Sequence, residues 1–310
     1  MIVRSKFIQL ITLSALVVVA TVIAACSSEE EATIEKAEAS GKLVSSDWML
    51  ENLDNEDVVV VDLRKEEDYA AGHIPGAIQL TPKAVFQQED ENGVAGMLPA
   101  AAHIATALSE LGIEPSDTVV FYDSNSNLWA SRALWAMDVY GHSDSKLIDG
   151  SWNYWSANEL KTSTDVPEIT ASNYAFTAAP DLSIIAGWEE VMESVDDPSK
   201  IVCDTRSPEE FSGKDVRAAA GGHIPESSNV NWNRSVNEQG EFLPAAELRV
   251  IYEGEGIQGD KVVFTLCQTA VRATHSWFVL QELLGYETVK VYDGSWTEWG
   301  NRTDVPITTR

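Results

Sequence analysis

The strongest constraint on this 310-residue chain is that it repeats itself. Three segments occur twice and in the same order, 142, 150 and 144 residues apart: VVVDLR at 59–64 and IVCDTR at 201–206, GHIP at 72–75 and 222–225, and DGSW at 149–152 and 293–296. Such a repeat indicates a duplicated structural unit. The sequence therefore predicts two copies of one domain, at 42–168 and 182–310.

Each copy alternates short apolar, β-branched runs with amphipathic segments. The predicted elements are strands at 58–62, 118–122 and 146–149 with helices at 101–112 and 129–140, then strands at 201–204, 261–266 and 288–292 with helices at 245–256 and 273–284. This alternation predicts an α/β fold in which helices cover both faces of a parallel sheet. Binding sites in such sheets lie beyond the carboxyl ends of the strands, which is where Cys267 falls.

The charge of the chain narrows the classes of partner. The formal net charge is −28 and the sequence pI is about 4.3, whereas the 44% hydrophobic and 23% charged residues are typical of globular proteins. An acidic surface repels phosphate backbones, so nucleic acid is excluded as a partner. An anionic substrate would need positive charge placed locally at its site.

The first 25 residues have the pattern of an export signal. Two basic residues, Arg4 and Lys6, precede an apolar run that ends in Ile-Ala-Ala before Cys26. This ending resembles the lipobox of bacterial lipoproteins, in which the cysteine is lipidated after cleavage. We expect Cys26 to anchor an exported protein to a membrane, facing the periplasm or the exterior, with 26–41 as a flexible tether. The alternative is an uncleaved membrane anchor.

Cys267 lies between a predicted strand and a predicted helix. A helix N-terminus presents unpaired backbone N–H groups and partial positive charge, and a short loop curling towards it adds further N–H groups. Such a cradle favours the thiolate of Cys267 and holds an anionic sulfur attached to it. Arg272 would supply positive charge at the same place.

Four motifs in this order resemble the tandem rhodanese-type sulfurtransferases. They are DLRKEE at 62–67, GHIPGA at 72–77, CQTAVR at 267–272 and DGSW at 293–296. The resemblance covers nearly all of 42–310. It implies two α/β domains, each with a central five-stranded parallel sheet, of which the second is catalytic. In the first copy the position of Cys267 is occupied by Asp123, so that copy is expected to be inactive.

The resemblance also implies a ping-pong mechanism and a role for each site residue. Cys267 takes sulfur from a donor as a persulfide and passes it to a thiol or to cyanide. Arg272 orients anions, and Asp204 with Arg206 braces the loop by charge-assisted hydrogen bonds. The persulfide is cradled by the backbone of the loop residues Gln268, Thr269, Ala270, Val271 and Arg272. No cofactor is implied.

The length and composition of the loop bear on the substrate. Six residues from Cys267 to Arg272 match the sulfurtransferases, whereas the related phosphatases and arsenate reductases have seven. The cations that usually follow the cysteine in thiosulfate enzymes are replaced by Gln268 and Thr269, and Ala270 must adopt a backbone angle usual for glycine. Thiosulfate is expected as the donor ahead of 3-mercaptopyruvate.

The remaining cysteine and the histidines leave alternatives open. Cys203 is either a buried core residue or a resolving thiol for Cys267. His73 and His223 are expected to order turns, since no second ligand at a suitable spacing supports a metal site, and His275 is expected to pack or face solvent rather than to act in the site. Two other functions compete with sulfur transfer. One is a binding or sensing module without turnover, and the other is thiol–disulfide exchange.

Overall fold

The computed structural model describes residues 41–309, all within one compact unit that holds both copies of the repeat. The export signal and Cys26 lie outside the described residues. Among residues 41–309, no helix has the length and apolarity needed to cross a membrane.

The first copy consists of a five-stranded sheet, its helices and a small hairpin. Its elements are β1 (Leu43–Val44), α1 (Ser46–Glu51), β2 (Val58–Asp62), α2 (Glu66–Ala71), β3 (Ile78–Gln79), α3 (Pro82–Phe86), β4 (Gln88–Glu89), β5 (Ala95–Met97), α4 (Ala101–Glu110), β6 (Thr118–Tyr122), α5 (Leu128–Val139), β7 (Ser145–Ile148) and α6 (Ser151–Ala157). The parallel sheet has the order β1-β7-β6-β2-β3, and β4 and β5 form the separate antiparallel hairpin.

The second copy repeats this topology. Its elements are β8 (Ile185–Ala186), α7 (Trp188–Met192), β9 (Lys200–Asp204), α8 (Pro208–Phe211), β10 (Ser228–Asn229), α9 (Ala245–Gly254), β11 (Val262–Leu266), α10 (Val271–Phe278), β12 (Val289–Tyr292) and α11 (Ser295–Trp299). Three 3-10 turns and one π turn complete it: Leu182–Ile184, Glu193–Asp196, Trp232–Ser235 and Val279–Leu283. The sheet order β8-β12-β11-β9-β10 is the same as in the first copy when the strands are counted along the chain.

The predicted α/β fold and the ten predicted elements are confirmed to within a few residues. The predicted helix at 273–284 begins two residues earlier and ends in the π turn Val279–Leu283. The edge strands β1, β3, β8 and β10 were not predicted. Each has only two residues, too few to show a hydrophobic period, so their pairing depends on the neighbouring strand rather than on a local pattern.

A single hydrophobic cluster joins the two copies. Helices α5 and α10 pack against each other, and the cluster around them includes buried aromatic residues of both copies, among them Phe121, Trp135 and Phe278. Each copy has a second cluster on the outer face of its sheet. Because burial of apolar area is the main stabilising term in folding, the shared cluster makes the first copy part of the stability of the second.

Hydrogen bonds cross between the copies in a reciprocal way. The Leu98 N–H donates to Asp293 at 2.6 Å, and the Phe242 N–H donates to Asp149 at 2.9 Å. The two acceptors are the aspartates of the duplicated DGSW segments. The buried Arg132 of α5 adds an ion pair with Asp293 at 2.7 Å. The segment that follows the last strand of each copy is thus held by the other copy.

Candidate active site

The Cys267 thiol lies at the carboxyl end of β11, at the start of a tight turn into α10. Cys267 is 1% exposed, and its thiol is not part of a disulfide. Ala270, the residue before α10, has φ 58° and ψ −5°, which is the left-handed conformation expected for it from the sequence. This conformation costs a non-glycine residue roughly 1 kcal/mol, so the surrounding structure must hold the turn in place.

Ser295 holds the turn from the neighbouring strand end. Its hydroxyl oxygen accepts from the N–H groups of Cys267 and Ala270, both at 3.2 Å, and donates to the Tyr292 carbonyl at 2.8 Å. The Trp296 N–H donates to the Cys267 carbonyl at 3.0 Å. This role of Ser295 was not predicted from the sequence. The duplication of DGSW could have indicated this role, because a serine present at the same position in both copies is expected to make the same contact with the turn in both.

Several backbone N–H groups of the turn and of the start of α10 are unpaired within the described residues. Within residues 41–309, the N–H groups of Gln268, Thr269, Val271, Arg272 and Ala273 have no hydrogen-bond partner. The first N–H groups of a helix have no partner inside the helix, so an outside acceptor can satisfy them. An anionic sulfur on Cys267 is such an acceptor.

The first copy shows what this kind of cradle binds. There the Asp123 carboxylate accepts four backbone N–H groups at 2.7–3.1 Å, those of Asn125, Asn127, Trp129 and Ala130. Burial raises the pKa of Asp123, and the four N–H donors oppose that effect. All four contacts are donors, which suits the ionised carboxylate. The anion of the first copy is therefore part of the protein, whereas the second copy has a thiol.

Arg272 lies beside the thiol, but its charge is already paired. Its guanidinium contacts Cys267 and donates two hydrogen bonds to the Glu210 carboxylate, at 2.6 and 2.9 Å. Burial raises the pKa of Glu210, but the hydrogen bonds from Arg272 outweigh this effect and lower the pKa to about 2. The carboxylate therefore stays ionised. Arg217 approaches the same carboxylate at 3.3 Å. Glu210 was not foreseen as part of the site, because its position in α8 is distant from the loop in sequence.

Asp204 and Arg206 act on a different turn from the one expected. Arg206 donates to Asp204 at 2.6 Å and to the Gly222 carbonyl at 2.7 Å, and its guanidinium stacks on Trp296 at 4.0 Å. None of these bonds reaches the Cys267 loop. The expectation of direct bracing is corrected: the pair orders the GHIP turn, and Thr205 instead donates to the Leu266 carbonyl just before the loop.

The first copy contacts the Cys267 loop through its hairpin. The Gln87 side-chain amide donates to the Thr269 carbonyl at 2.8 Å. The Thr269 side chain packs against Gly96, where an added Cβ would lie 2.7 Å from the Thr269 Cβ. Gln268 turns the other way, towards the Arg217 carbonyl and the Thr297 hydroxyl. Thr269, expected to bind a donor, is therefore also a contact between the copies.

The structure separates Cys203 from the site. Cys203 is fully buried, which raises the pKa of its thiol, and it lies opposite Thr265 in the parallel register of β9 and β11. Since Cys267 comes two residues after Thr265, strand geometry places its Cα about 8 Å from that of Cys203. A disulfide needs a Cα separation below about 7 Å. The buried-core interpretation of Cys203 is the one supported.

The histidines are structural in the described chain. His275 is buried between Trp232 and Phe242 and bonds the Ser126 carbonyl of the first copy at 3.2 Å. His73 and His223 stack on Tyr69 and Phe211 within their turns. Residues 41–309 contain no cluster of three or more His, Cys, Asp or Glu side chains that would hold a metal ion.

Comparisons with known proteins agree with this geometry. The model of the rhodanese-like domain matches residues 45–158 and 188–302. The chain is 38% identical over 274 residues to a putative thiosulfate sulfurtransferase of Saccharopolyspora erythraea, covering 86% of this chain and 95% of that protein. It is 38% identical over 279 residues to the sulfur carrier protein TtuD of Thermus thermophilus, with the same two coverages.

A solved structure shares the fold over most of the chain. It is the anaerobic ergothioneine biosynthesis enzyme from Chlorobium limicola in complex with trimethyl histidine, with a TM-score of 0.77 and 25% identity. The alignment covers 88% of this chain and 71% of that one.

Proposed function

This chain belongs to the rhodanese family, and from that premise we propose that it is a thiosulfate-type sulfurtransferase that carries a sulfane sulfur as a persulfide on Cys267. The single observation that supports this most is the pair of equivalent turns. In the first copy the Asp123 carboxylate accepts hydrogen bonds from the N–H groups of the turn. In the second copy a thiol lies at the equivalent strand end.

The reaction proceeds in two steps. The Cys267 thiolate attacks the outer sulfur of thiosulfate, the S–S bond of the donor breaks, and sulfite leaves with the electron pair of that bond. The new terminal sulfur is anionic and is held by the unpaired N–H groups of the turn. A thiolate acceptor, or cyanide in an assay, then attacks this outer sulfur and returns Cys267 to the thiolate.

The residues around the turn position the reacting sulfur. Ser295 holds the N–H groups of Cys267 and Ala270, and thereby the shape of the cradle. Arg272 contacts the thiol and supplies positive charge to the extent that Glu210 leaves it available. Thiosulfate ranks ahead of 3-mercaptopyruvate as donor on the names of the relatives, and TtuD, described as a sulfur carrier, supports a thiol or protein acceptor.

The cellular place of the protein is a further part of the proposal. The lipobox-like ending at Cys26 supports a lipoprotein that faces the periplasm or the exterior. A Cys26→Ser variant is expected to lose labelling by a fatty-acid probe and to leave the membrane fraction. Retention in that fraction without label would instead support an uncleaved anchor.

The sulfur-carrying step is tested by mass spectrometry of the purified protein after brief incubation with thiosulfate. We expect a gain of one sulfur, about 32 Da, that cyanide removes and that Cys267→Ser abolishes. Cys203→Ser, at the buried cysteine, is the matched control and should still gain the sulfur. A persulfide on any other residue would refute the assignment.

The competing function is a binding or sensing module without turnover. The pairing of Arg272 with Glu210 and the 1% exposure of Cys267 favour it. It predicts that no donor among thiosulfate, 3-mercaptopyruvate and polysulfide adds sulfur to Cys267, so the same mass spectra decide between the two functions.

A further inference from the structure

We propose that Glu210 determines the choice of sulfur donor, disfavouring dianionic thiosulfate and favouring hydropersulfides whose organic part carries no charge. This inference rests on the proposed sulfurtransferase function and specifies the substrate class of the same site: thiosulfate still loads Cys267 with sulfur, but with a lower kcat/KM than such a hydropersulfide.

Glu210 is built into the site rather than placed on its surface. Its side chain is 2% exposed and makes both bonds to Arg272 through its two oxygens. One of these oxygens also accepts the Ser207 N–H at 3.1 Å, as part of the capping box of α8. Because the carboxylate is fixed from two sides, a donor anion that seeks Arg272 must displace a preorganised, bidentate partner.

No uncompensated cation takes the place of Arg272. Within the described chain, each arginine around the loop faces a carboxylate: Arg272 faces Glu210, Arg206 faces Asp204, and Arg217 faces Asp215. The loop itself offers Gln268 and Thr269 at positions after the cysteine. Each of these three pairs is neutral, so none of the three arginines adds net positive charge beside the thiol.

The charge of the donor and of its leaving group decides how strongly the pairing of Arg272 with Glu210 affects the reaction. Thiosulfate enters as a dianion and releases sulfite, also a dianion, so both states need cations beside the thiol. The full chain has a formal net charge of −28, which adds long-range repulsion of an anionic donor. A hydropersulfide with an uncharged organic part lowers both costs, because it carries at most one negative charge: Cys267–S⁻ attacks the outer sulfur of R–S–SH, the donor S–S bond breaks, R–S⁻ leaves as a monoanion with the electron pair of that bond, and Cys267–S–SH retains the proton.

The test compares three donors by stopped-time mass spectrometry of Cys267 and by kcat/KM with a common acceptor. The donors are thiosulfate, 3-mercaptopyruvate and 2-hydroxyethyl hydropersulfide. In the wild-type protein we expect the hydropersulfide to exceed thiosulfate in kcat/KM by about tenfold or more, in line with the strength of charged hydrogen bonds. This measurement needs no variant and by itself overturns the proposal if thiosulfate is preferred.

The variant Glu210→Gln keeps the size of the side chain and an oxygen for the Ser207 N–H, but frees Arg272. It should raise kcat/KM for thiosulfate about tenfold while changing that for the hydropersulfide by less than about twofold. The matched control is Glu209→Gln, the exposed neighbour in α8, which changes the net charge equally and should leave the donor ratio unchanged. Misfolding would lower kcat/KM for both donors alike, so the role of Glu210 in specificity is measured by the ratio of the two kcat/KM values.

The outcomes separate this inference from the proposed function. If no donor produces a persulfide on Cys267, the sulfurtransferase function fails. If persulfide forms but the Glu210→Gln variant leaves the donor ratio as it is in the wild type, only the role of Glu210 is refuted.

Discussion

The two turns at Asp123 and Cys267 lie at equivalent places in two copies of one fold. They differ in whether their backbone N–H groups already bind an anionic side chain of the protein. In the first, the carboxylate of Asp123 satisfies four N–H groups from inside the protein. In the second, the N–H groups of Arg272 and Ala273, which correspond to those of Trp129 and Ala130, have no partner within the described residues, and a cysteine occupies the position of the aspartate. A serine bonds the backbone of each turn: Ser151 in the first and Ser295 in the second.

This difference shows how one scaffold can fill its N–H groups from within the protein in one copy and leave them available to a ligand in the other. The first turn is one residue longer, since three residues lie between Asp123 and the Asn127 cap, whereas two lie between Cys267 and the Ala270 cap. A filled cradle stabilises the fold. An unfilled one keeps hydrogen-bonding capacity for a bound sulfur, in the manner of other active sites that are preorganised for charge.

The largest expected effect comes from emptying the first cradle. Asp123→Ala would leave four N–H groups without an acceptor in a buried site and should lower the free energy of unfolding by about 4 kcal/mol. Denaturant unfolding measures this, with Ser124→Ala, an exposed neighbour, as control. A loss below about 1 kcal/mol would mean that water replaces the carboxylate and that the two cradles differ less than the contacts indicate.

The next effect concerns the fifth residue of each central helix, which is Arg132 in α5 and His275 in α10. Arg132→Met leaves the buried Asp293 without its cation and should cost about 3 kcal/mol. It should also lower sulfur transfer, because Asp293 precedes the turn that holds Cys267. The control is Arg249→Met, which removes an arginine from an exposed ion pair and should lower the free energy of unfolding by less than about 1 kcal/mol. Normal activity at reduced stability would show that the catalytic turn is independent of this contact.

Equivalent serines allow a direct comparison of the two turns. Ser295→Ala removes the acceptor for the N–H groups of Cys267 and Ala270, and should lower kcat/KM about tenfold with a loss of stability of about 1 kcal/mol. Ser151→Ala removes the matching contact with Asp123 and should cost similar stability while leaving kcat/KM within about twofold. Equal loss of activity in both variants would contradict a specific positioning role for Ser295.

The smallest effect is a pH dependence of stability that belongs to His275. Burial lowers the pKa of His275 to about 3 from its ordinary 6.5. Between these values the unfolded chain binds a proton that the folded chain does not, so stability is full above pH 6.5 and is lost as the pH falls towards 3. Unfolding free energies at several pH values should show a shallower slope in His275→Asn. His103→Asn, at an exposed position, should retain the wild-type slope.

Much of the fold follows from local pattern. The apolar runs before Asp62, Asp204 and Cys267 predicted central strands, and the duplication predicted that both copies share one topology. The two-residue edge strands could not be predicted, because their pairing is decided by the neighbouring strand. Cys267, Arg272 and the replacement by Asp123 were identified from the sequence through the repeat and the loop motif.

The amino-acid sequence was therefore sufficient to identify the candidate nucleophile, Cys267, and to place it at a strand end. Only the tertiary structure decided what surrounds it. Glu210 reaches Arg272 from a position 62 residues away, and Gln87 reaches the Thr269 carbonyl from 182 residues away. Such contacts carry no local signal, because they depend on how whole sheets and helices pack. The charge available at the thiol is a property of that packing rather than of the motif.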